Sequence, residues 1–543
     1  MNELDKLSAL IIEPHGGMRA SIHNMLTLCG LSKIEHAGSS NNAVKHLGLK
    51  SFDLILCEYD LDGGQDGQQL LEDLRHHKLI TQSTMFFMVT AEGDAGKVVS
   101  AAELAPTDYI LKPFTADRLL ERIARALERR NAFLPVYQLM EAGSQRAAIA
   151  ACLDGTRAQP RFAIDFLRLR AELHLVLGEP AEAEPIYQQL VAAKGIAWAR
   201  LGLAKTLFMR ARYPEAVQVL EALVESNKHF VDAYDWLART HAAAGAPGKA
   251  QMVLADAVAV SPHAVRRLRK LGELALETGD TDTAERVLKQ VVSKAKYSEF
   301  RDPEDHVKLV QTLVRKGDPV QAAAVIRDLD KSLGGRRNTE VCSAVASAMV
   351  HEYTGNDVRL NASLTAALAG CKDALGLSAQ MKMDLARSCL HNQLAQGAVE
   401  LMRDVMQNAP DSAAMAKAMD VFDKAGRPDL AHSIAQESRQ QVIDLVGAGA
   451  ARARAGDFRG AVELMLDAVG RLPDNPQVVF NAAVAVLKCL ENMGWEERLG
   501  RQAIALIDSV RRLDPVNPKL PALAGLHQQI LKKYDKGPRA VKA

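Results

Sequence analysis

The sequence lacks any long uninterrupted run of apolar residues, although apolar types make up 48% of its 543 residues. A membrane-spanning helix needs roughly 18 such residues in a row, so we expect no transmembrane segment and no membrane partner. The start of the chain, MNELDKLSALII, contains acidic residues and only a short apolar run, which does not predict a secretion signal. We therefore expect a cytoplasmic protein.

Charge of one sign is also missing, since 67 Lys and Arg residues balance 66 Asp and Glu residues and leave a formal net charge of +1. Such a balance provides no overall field that would attract nucleic acid or an anionic membrane. The seven cysteines are scattered without a CxxC pair or an even framework, which indicates a reducing compartment.

The motifs of several enzyme classes are absent, including the Walker and Rossmann glycine patterns, HExxH and G-x-S-x-G. The pair His76-His77 follows a predicted helix and has no companion cysteines, so we expect it at the surface rather than in a zinc site. No basic stripe or recognition-helix module is present, so we expect no nucleic-acid partner. Nothing in the sequence indicates an enzyme.

The first 130 residues alternate between short apolar runs and segments with helical periodicity. The apolar runs lie at 9–12, 33–38, 53–58, 84–91 and 108–112, and helical segments follow them at 18–30, 41–50, 67–77, 95–105 and 116–130. Five such alternations predict an α/β fold, a doubly wound, five-stranded parallel sheet with helices on both faces. Functional groups of such sheets gather at the carboxyl ends of the strands.

The predicted strand ends carry Glu13-Pro14, Glu58, Thr90 and Lys112. This set of residues, with the stretches YILKPF (109–114), VTA (89–91) and DGQQLLEDLR (66–75), resembles the receiver domain of bacterial response regulators. The resemblance implies the flavodoxin-like form of the sheet. In that family, two acids after the first strand help to hold Mg²⁺, and an aspartate ending the third strand accepts a phosphoryl group. The threonine and the lysine contact the phosphoryl oxygens, and the resemblance implies a cis bond between Lys112 and Pro113.

Two departures from the family pattern bear on its chemistry. Pro14 stands where the family has its second acid, and Glu58 stands where it has the acceptor aspartate. Mg²⁺ requires near-octahedral oxygen coordination, and Pro14 supplies no side-chain oxygen, so we expect no cofactor. If a metal does bind, we expect Glu13 and Glu58 to be its ligands. Glu58 is longer by one carbon–carbon bond, and phosphoryl transfer depends on positioning, so phosphorylation is not expected.

Several roles stay open for these residues. Asp60, in an acidic loop with Asp62 and Asp66, is an alternative acceptor, although Gly67 closes a longer loop that favours Glu58 in the acceptor position. Glu58 could imitate part of a phosphorylated state, or it could simply neutralise Lys112. Tyr109 occupies the family's switch position, and it could report the state of the site or serve as a fixed core aromatic.

The remainder of the chain is rich in Ala and Leu and repeats a Gly-containing turn, as in LGEPAEAEPIY (177–187) and RKGDPVQAAAVI (315–326). The alanines after successive turns are 35, 33, 34 and 34 residues apart, at Ala148, Ala183, Ala216, Ala250 and Ala284. A period near 34 is typical of tetratricopeptide (TPR) repeats, each a helix–turn–helix. Looser repeats follow around Ala322, Leu360, Ala398, Ala431, Ala461 and Ala503, which makes about eleven helix pairs.

We therefore predict a receiver-like domain at 1–130, an all-α TPR superhelix at 131–533 and a flexible tail at 534–543. A stacked array offers a groove for a peptide or helix of another protein. The basic run VRRLRK (265–270) could face that groove and bind acidic ligands, or it could be a solvated helix face.

The leading functional hypothesis is a signalling adaptor of a two-component phosphorelay, with protein partners on the receiver face and in the array. A conventional phosphorylatable response regulator with a TPR output domain is the second hypothesis. An enzyme with an active site inside the array is the third, and it would need a deep cleft with converging titratable groups.

Overall fold

The computed structural model of the chain describes residues 3–61, 66–91, 106–194, 196–262, 264–295, 301–336, 338–371, 376–514, 517 and 519–534. Among these residues, no helix combines the length and the apolar character that crossing a membrane requires.

The first domain contains a five-stranded parallel sheet with the strand order β2-β1-β3-β4-β5. The predicted strands are confirmed to within one residue at each end. Their bounds are Ser8–Ile12 (β1), Lys33–Ala37 (β2), Leu54–Glu58 (β3), Met85–Thr90 (β4) and Asp108–Leu111 (β5).

Both faces of the sheet are buried, as expected for parallel strands covered by helices. Successive residues of β1 point to opposite faces, so that Ile11 joins one apolar cluster and Ile12 joins the other. Every residue of β3 and β4 is buried. The sheet is therefore the centre of the receiver core.

Helices cover the sheet, and their bounds are Gly16–Leu28 (α1), Ser40–Leu49 (α2), Gly67–His76 (α3) and Ala116–Glu141 (α4). The helical segment predicted at 95–105 lies outside the described residues. Helix α4 is longer than the predicted segment and continues through Pro135. The domain boundary predicted after residue 130 therefore falls inside a continuous helix.

The rest of the described chain consists of paired helices. In chain order these are Gln145–Ala158 (α5), Ala163–Val176 (α6), Pro180–Lys194 (α7), Ala197–Met209 (α8), Tyr213–Ser226 (α9), Val231–Ala243 (α10), Pro247–Val260 (α11), Val265–Thr278 (α12), Thr281–Ala295 (α13), Glu304–Arg315 (α14), Pro319–Leu333 (α15), Thr339–Tyr353 (α16), Asp357–Cys371 (α17), Ala379–His391 (α18), Ala395–Gln407 (α19), Ser412–Lys424 (α20), Pro428–Arg454 (α21), Phe458–Arg471 (α22), Pro476–Met493 (α23), Glu497–Leu513 (α24) and Leu520–Lys533 (α25).

The periodic small residues lie where the paired helices touch. The alanines that define the period and those of the looser repeats have no exposed surface. They are Ala148, Ala183, Ala216, Ala250, Ala284, Ala322, Ala398, Ala431, Ala461 and Ala503. Gly202 of α8 shows the same close packing, because a Cβ atom there would overlap the ring of Tyr187. Small side chains at these positions allow the helices to approach closely.

Helix α21 differs from the regular repeat, since it runs for 27 residues without a turn. Its first part carries Ala431 of one repeat, and the same helix then leads into α22, which carries Ala461 of the next. The sequence predicts two separate helices here. The structure instead fuses the second helix of one pair with the first helix of the next.

The chain divides into two compact units that do not coincide with the predicted domains. The first contains residues up to Gln138, Arg146–Leu175 and Glu179–Val325. The second contains Leu139–Gln145, Val176–Gly178 and the residues from Ile326 onward. In the second unit, Gln528 Nε2 donates to Ser144 Oγ at 3.0 Å.

Candidate functional site at the strand ends and on the array

The sheet topology brings the predicted residues to one edge. Ile12 is paired with Cys57, Glu58 with Val89, and Thr90 with Leu111. Residues that end or directly follow β1, β3, β4 and β5 therefore share the carboxyl edge of the sheet. This register places Glu13, Glu58, Thr90 and Lys112 at one site, as the alternation of strands and helices predicts.

Lys112 lies between the two carboxylates. Its Nζ donates to Glu13 Oε2 at 2.9 Å and also makes an ion pair with Glu58 Oε2. The side chains of Lys112 and Glu13 are only 16% and 1% exposed, so this cluster is largely removed from water. One ammonium group thus compensates two buried carboxylates, which leaves the cluster with one excess negative charge.

The other oxygens of the two carboxylates accept backbone hydrogen bonds. Glu58 Oε1 accepts from the N–H groups of Tyr59 at 2.9 Å and Asp60 at 3.3 Å. Glu13 Oε1 accepts from the N–H of His15 at 2.9 Å. All four carboxylate oxygens therefore have partners within the protein.

The environment shifts the pKa values of Glu13 and Glu58 in opposite directions. Burial opposes ionisation of Glu13, but the His15 N–H and Lys112 outweigh it and lower the pKa of Glu13 below its ordinary value. Burial is stronger for Glu58 and raises its pKa, although hydrogen bonding to Lys112 acts in the opposite direction. Burial alone would lower the pKa of Lys112, yet Glu58 and Glu13 together raise it, so Lys112 stays charged.

Arg19 is a second cation at this edge, and the sequence reasoning missed it. Its Nη1 donates to the carbonyl oxygens of Glu13 at 2.6 Å and Pro14 at 2.9 Å. The position of this arginine, one turn into the helix that follows the first strand, was the sequence signal that could have indicated its contact with the end of β1. The carbonyl oxygens after β1 are therefore already bound by a guanidinium group.

The other predicted site residues surround this cluster. Thr90 is 4% exposed, and its carbonyl oxygen accepts from the N–H of Lys112 at 2.8 Å. The peptide bond between Lys112 and Pro113 is cis, as the resemblance implies. Tyr109 is partly buried against the second apolar cluster, and this burial raises the pKa of its hydroxyl.

The loop after β3 passes close to the site. Asp60 and Asp66 form an isolated antiparallel bridge, while Asp62 lies outside the described residues. The N–H of Gly67 donates to the carbonyl of Tyr59 at 2.7 Å, and a Cβ atom at Gly67 would overlap the carbonyl oxygen of Glu58. The backbone approach explains why glycine closes this loop.

Two arginines of the basic run are paired with acids of neighbouring array helices. Arg267 and Arg269 form bidentate ion pairs, with Asp235 at 2.7–2.8 Å and with Asp305 at 2.6–2.7 Å respectively. These pairs link neighbouring repeats. Arg266 is exposed, and it lines a cavity of about 690 Å³ in the first compact unit.

An aromatic and cationic cluster next to this run was also missed. Trp236 and Phe208 meet edge to face at 5.5 Å, and the Arg239 guanidinium lies 4.7 Å and 5.1 Å from their ring centres. The repeat pattern of the sequence does not reveal this cluster, because Phe208 belongs to one repeat and Trp236 and Arg239 belong to the next. Such contacts stabilise an exposed cation and hold it in a defined place.

Comparisons with known proteins match the two parts of the chain to two different families. A family model described as response regulator receiver domain matches residues 9–124, and one described as tetratricopeptide repeat matches residues 168–229. The chemotaxis protein CheY of Pseudomonas aeruginosa is 30% identical over 125 residues, which cover 23% of this chain and 99% of that protein. The chemotaxis protein CheY-3 of Vibrio cholerae is 28% identical over 123 residues, covering 23% of this chain and 93% of that protein.

Among solved structures, a tetratricopeptide repeat protein from Parabacteroides merdae is 14% identical, with a TM-score of 0.31. The alignment covers 47% of this chain and 96% of that one. The match to CheY spans nearly the whole of that relative and coincides with the parallel sheet described above. The chain therefore belongs to the response regulator receiver family through its first domain, and it carries tetratricopeptide repeats downstream.

Proposed function

We propose that the protein is a phosphorylation-independent adaptor of two-component signalling, in which the receiver domain and the TPR array each bind another protein. The observation that carries this proposal is the pairing of Lys112 with both Glu13 and Glu58. Because Lys112 occupies one oxygen of each carboxylate, a metal ion at this site would have to compete with an ammonium group that is already bound.

The residues at the strand ends fit Mg²⁺ poorly. Mg²⁺ needs several oxygen ligands in near-octahedral geometry, and Pro14 offers no side-chain oxygen. Both carboxylates are bound to Lys112, and Arg19 binds the carbonyl oxygens of Glu13 and Pro14. A divalent cation would have to displace one or both of these cations.

Glu58 is also poorly arranged as a nucleophile. One of its oxygens is bound to Lys112, and the other accepts two backbone N–H groups. Attack on a phosphoryl donor requires a free oxygen in line with the leaving group. The same contacts hold a permanent negative charge beside Thr90 and Lys112, which supports the idea that Glu58 imitates part of a phosphorylated state.

A conventional response regulator is the second candidate. The convergence of Thr90 and Lys112 at the carboxyl edge favours it, since a hydroxyl and an ammonium are the groups that would contact phosphoryl oxygens. In that case Glu58 or Asp60 would accept the phosphoryl group and the array would be the output domain.

Treatment of the full-length protein with acetyl phosphate and Mg²⁺, followed by intact-mass measurement, separates the two candidates. We expect no acyl phosphate on the wild-type chain. The matched variant Pro14→Asp/Glu58→Asp restores the oxygens that the family uses, and it should gain one phosphoryl group. A stable phosphoryl adduct on the wild-type protein would contradict the adaptor proposal.

Several further properties stay predictions. The cytoplasmic location, the lack of a nucleic-acid partner and the lack of enzymatic activity rest on the composition and motifs of the sequence. The protein partners themselves are expected because receiver and TPR domains are generally interaction modules.

A further inference from the structure

Helix α3 of the receiver lies next to the array within the first compact unit. Gln68 and Glu72 of α3 form one side of the cavity of about 690 Å³, and residues of α10 and α12 form the other. A second cavity, of about 200 Å³, lies between the end of α3 and the array helix α12. It is lined by Glu72, His76 and His77 on one side and by Arg266 and Arg269 on the other.

The two sides carry different charges. On the array side, Arg266, Arg267, Arg269 and Lys270 form the α12 basic patch, and all four line one or both cavities. The α3 side presents Glu72, and Asp66 at the start of α3 interacts with Lys294 of α13. Opposite charges on facing surfaces fix the orientation of the contact. Burying the Glu72 carboxylate nevertheless costs more than its attraction to Arg267 returns.

The contact is also incompletely satisfied. Asp232 of α10 is 2% exposed and lines the larger cavity, yet its Oδ2 has no hydrogen-bond partner among the described residues. Gln68 Oε1 lines the same cavity and likewise lacks a partner there. Burial raises the pKa of Glu72 to about 7, although Arg267 opposes this rise. Buried polar groups without partners and a desolvated acid each weaken an interface.

We propose that α3 occupies the α12 basic patch in cis, and that an acidic segment of a partner protein binds the same patch by displacing α3. The proposal rests on the proposed function in one respect, namely that the array binds a protein. It adds the chemistry of the ligand and a means by which the receiver controls access to it.

The patch is arranged to accept a new ligand once α3 leaves. Arg267 remains held by its bidentate pair with Asp235, and Arg269 by its pair with Asp305. Arg266 is exposed and can turn towards an incoming carboxylate, and Lys270, also exposed, can exchange its ion pair with Glu273 for one with the ligand. A preorganised patch loses little side-chain entropy on binding.

Zero-length carbodiimide crosslinking of the full-length protein tests the cis contact. Glu72 and Lys270 line the same cavity, so we expect an amide between their side chains in the digested protein. Lys270→Arg keeps the charge but cannot form this amide, and it is the matched control. The exposed pair Asp282 and Lys316, whose Oδ1 and Nζ atoms are 2.6 Å apart, serves as an internal positive control.

Fluorescence anisotropy with a labelled polyglutamate peptide tests the competition. Glu72→Arg places a positive charge against the patch and should release α3. If α3 covers the patch in about nine-tenths of the wild-type molecules, this release should tighten peptide binding roughly tenfold. Glu72→Gln removes the cost of burying a charge and should weaken peptide binding. Glu121→Arg, at an exposed position of α4, is the charge-matched control and should leave binding unchanged.

Three results would overturn the proposal. The first is the absence of a Glu72–Lys270 crosslink in a sample that forms the Asp282–Lys316 crosslink. The second is a crosslink whose yield does not fall at saturating polyglutamate. The third is the same peptide affinity, or no peptide binding, in wild type, Glu72→Arg and Glu121→Arg alike. An acyl phosphate on the wild-type chain would instead refute the adaptor function and leave these results unaffected.

Discussion

Lys112 is the cation that compensates Glu13 and Glu58, and its replacement by methionine gives a quantitative test of the site. Methionine has a similar length and no charge, so Lys112→Met removes the ammonium while it keeps most of the packing. The Glu13 carboxylate, 1% exposed, would lose a hydrogen bond of 2.9 Å, and Glu58 would lose its ion pair.

The expected loss follows from the burial of these groups. Breaking a buried ion pair by removing one partner costs about 3–5 kcal/mol. Glu58 can limit this cost by taking up a proton, because burial has already raised its pKa above the ordinary value of 4.5. We therefore expect Lys112→Met to lower the free energy of opening of the receiver by about 3 kcal/mol at neutral pH.

The pH dependence of the loss has a definite sign. Without Lys112, the pKa of Glu58 rises further in the folded protein but not in the unfolded chain. A carboxyl group with a raised folded pKa stabilises the protein at low pH, and this contribution is lost as the pH rises above the unfolded value of 4.5. The difference between Lys112→Met and wild type should therefore be larger at neutral pH than at mildly acidic pH.

Hydrogen exchange with mass spectrometry on the full-length chain measures this effect locally. Peptides that cover β1, β3 and β4 report on the receiver, and peptides from Pro476–Met493 are an internal reference in the array. Lys45→Met, at an exposed position of α2, is the matched control and should change stability by less than about 0.5 kcal/mol. The reasoning is refuted if both variants behave alike, or if the loss is greater in acid.

Three further substitutions test the packing around the two sites. Gly67→Ala should destabilise the receiver by about 1–3 kcal/mol in the same exchange assay, because its Cβ would overlap the carbonyl of Glu58, whereas Gly48→Ala has open space and should not destabilise. Ala250→Leu should lower the denaturation midpoint of the array through overpacking, by about 1–3 kcal/mol, and an unchanged midpoint would contradict the close approach of its helices. Arg269→Met should cost about 3–5 kcal/mol in α12–α14 because it leaves the Asp305 carboxylate buried and unpaired, and a loss below about 1 kcal/mol would count against that pair.

The sequence alone predicts the architecture well, for local physical reasons. Apolar runs alternating with helical periodicity place each strand end to within one residue, and a spacing of about 34 identifies the helix pairs through their buried alanines. The residues that close the parallel strands must share one edge of the sheet, so Glu13, Glu58, Thr90 and Lys112 could be brought together without coordinates.

The tertiary structure decides what those groups do to each other. Only the packed sheet determines that one ammonium group serves both acids and that Arg19 reaches the carbonyls after β1. Only the packing of the receiver on the array determines that α3 faces the α12 basic patch. The tertiary structure also fuses two predicted helices into Pro428–Arg454. Periodicity is a property of neighbouring residues and is visible in one dimension, whereas ion pairs and contacts between distant segments depend on side-chain directions and burial, which arise only when the whole chain has folded.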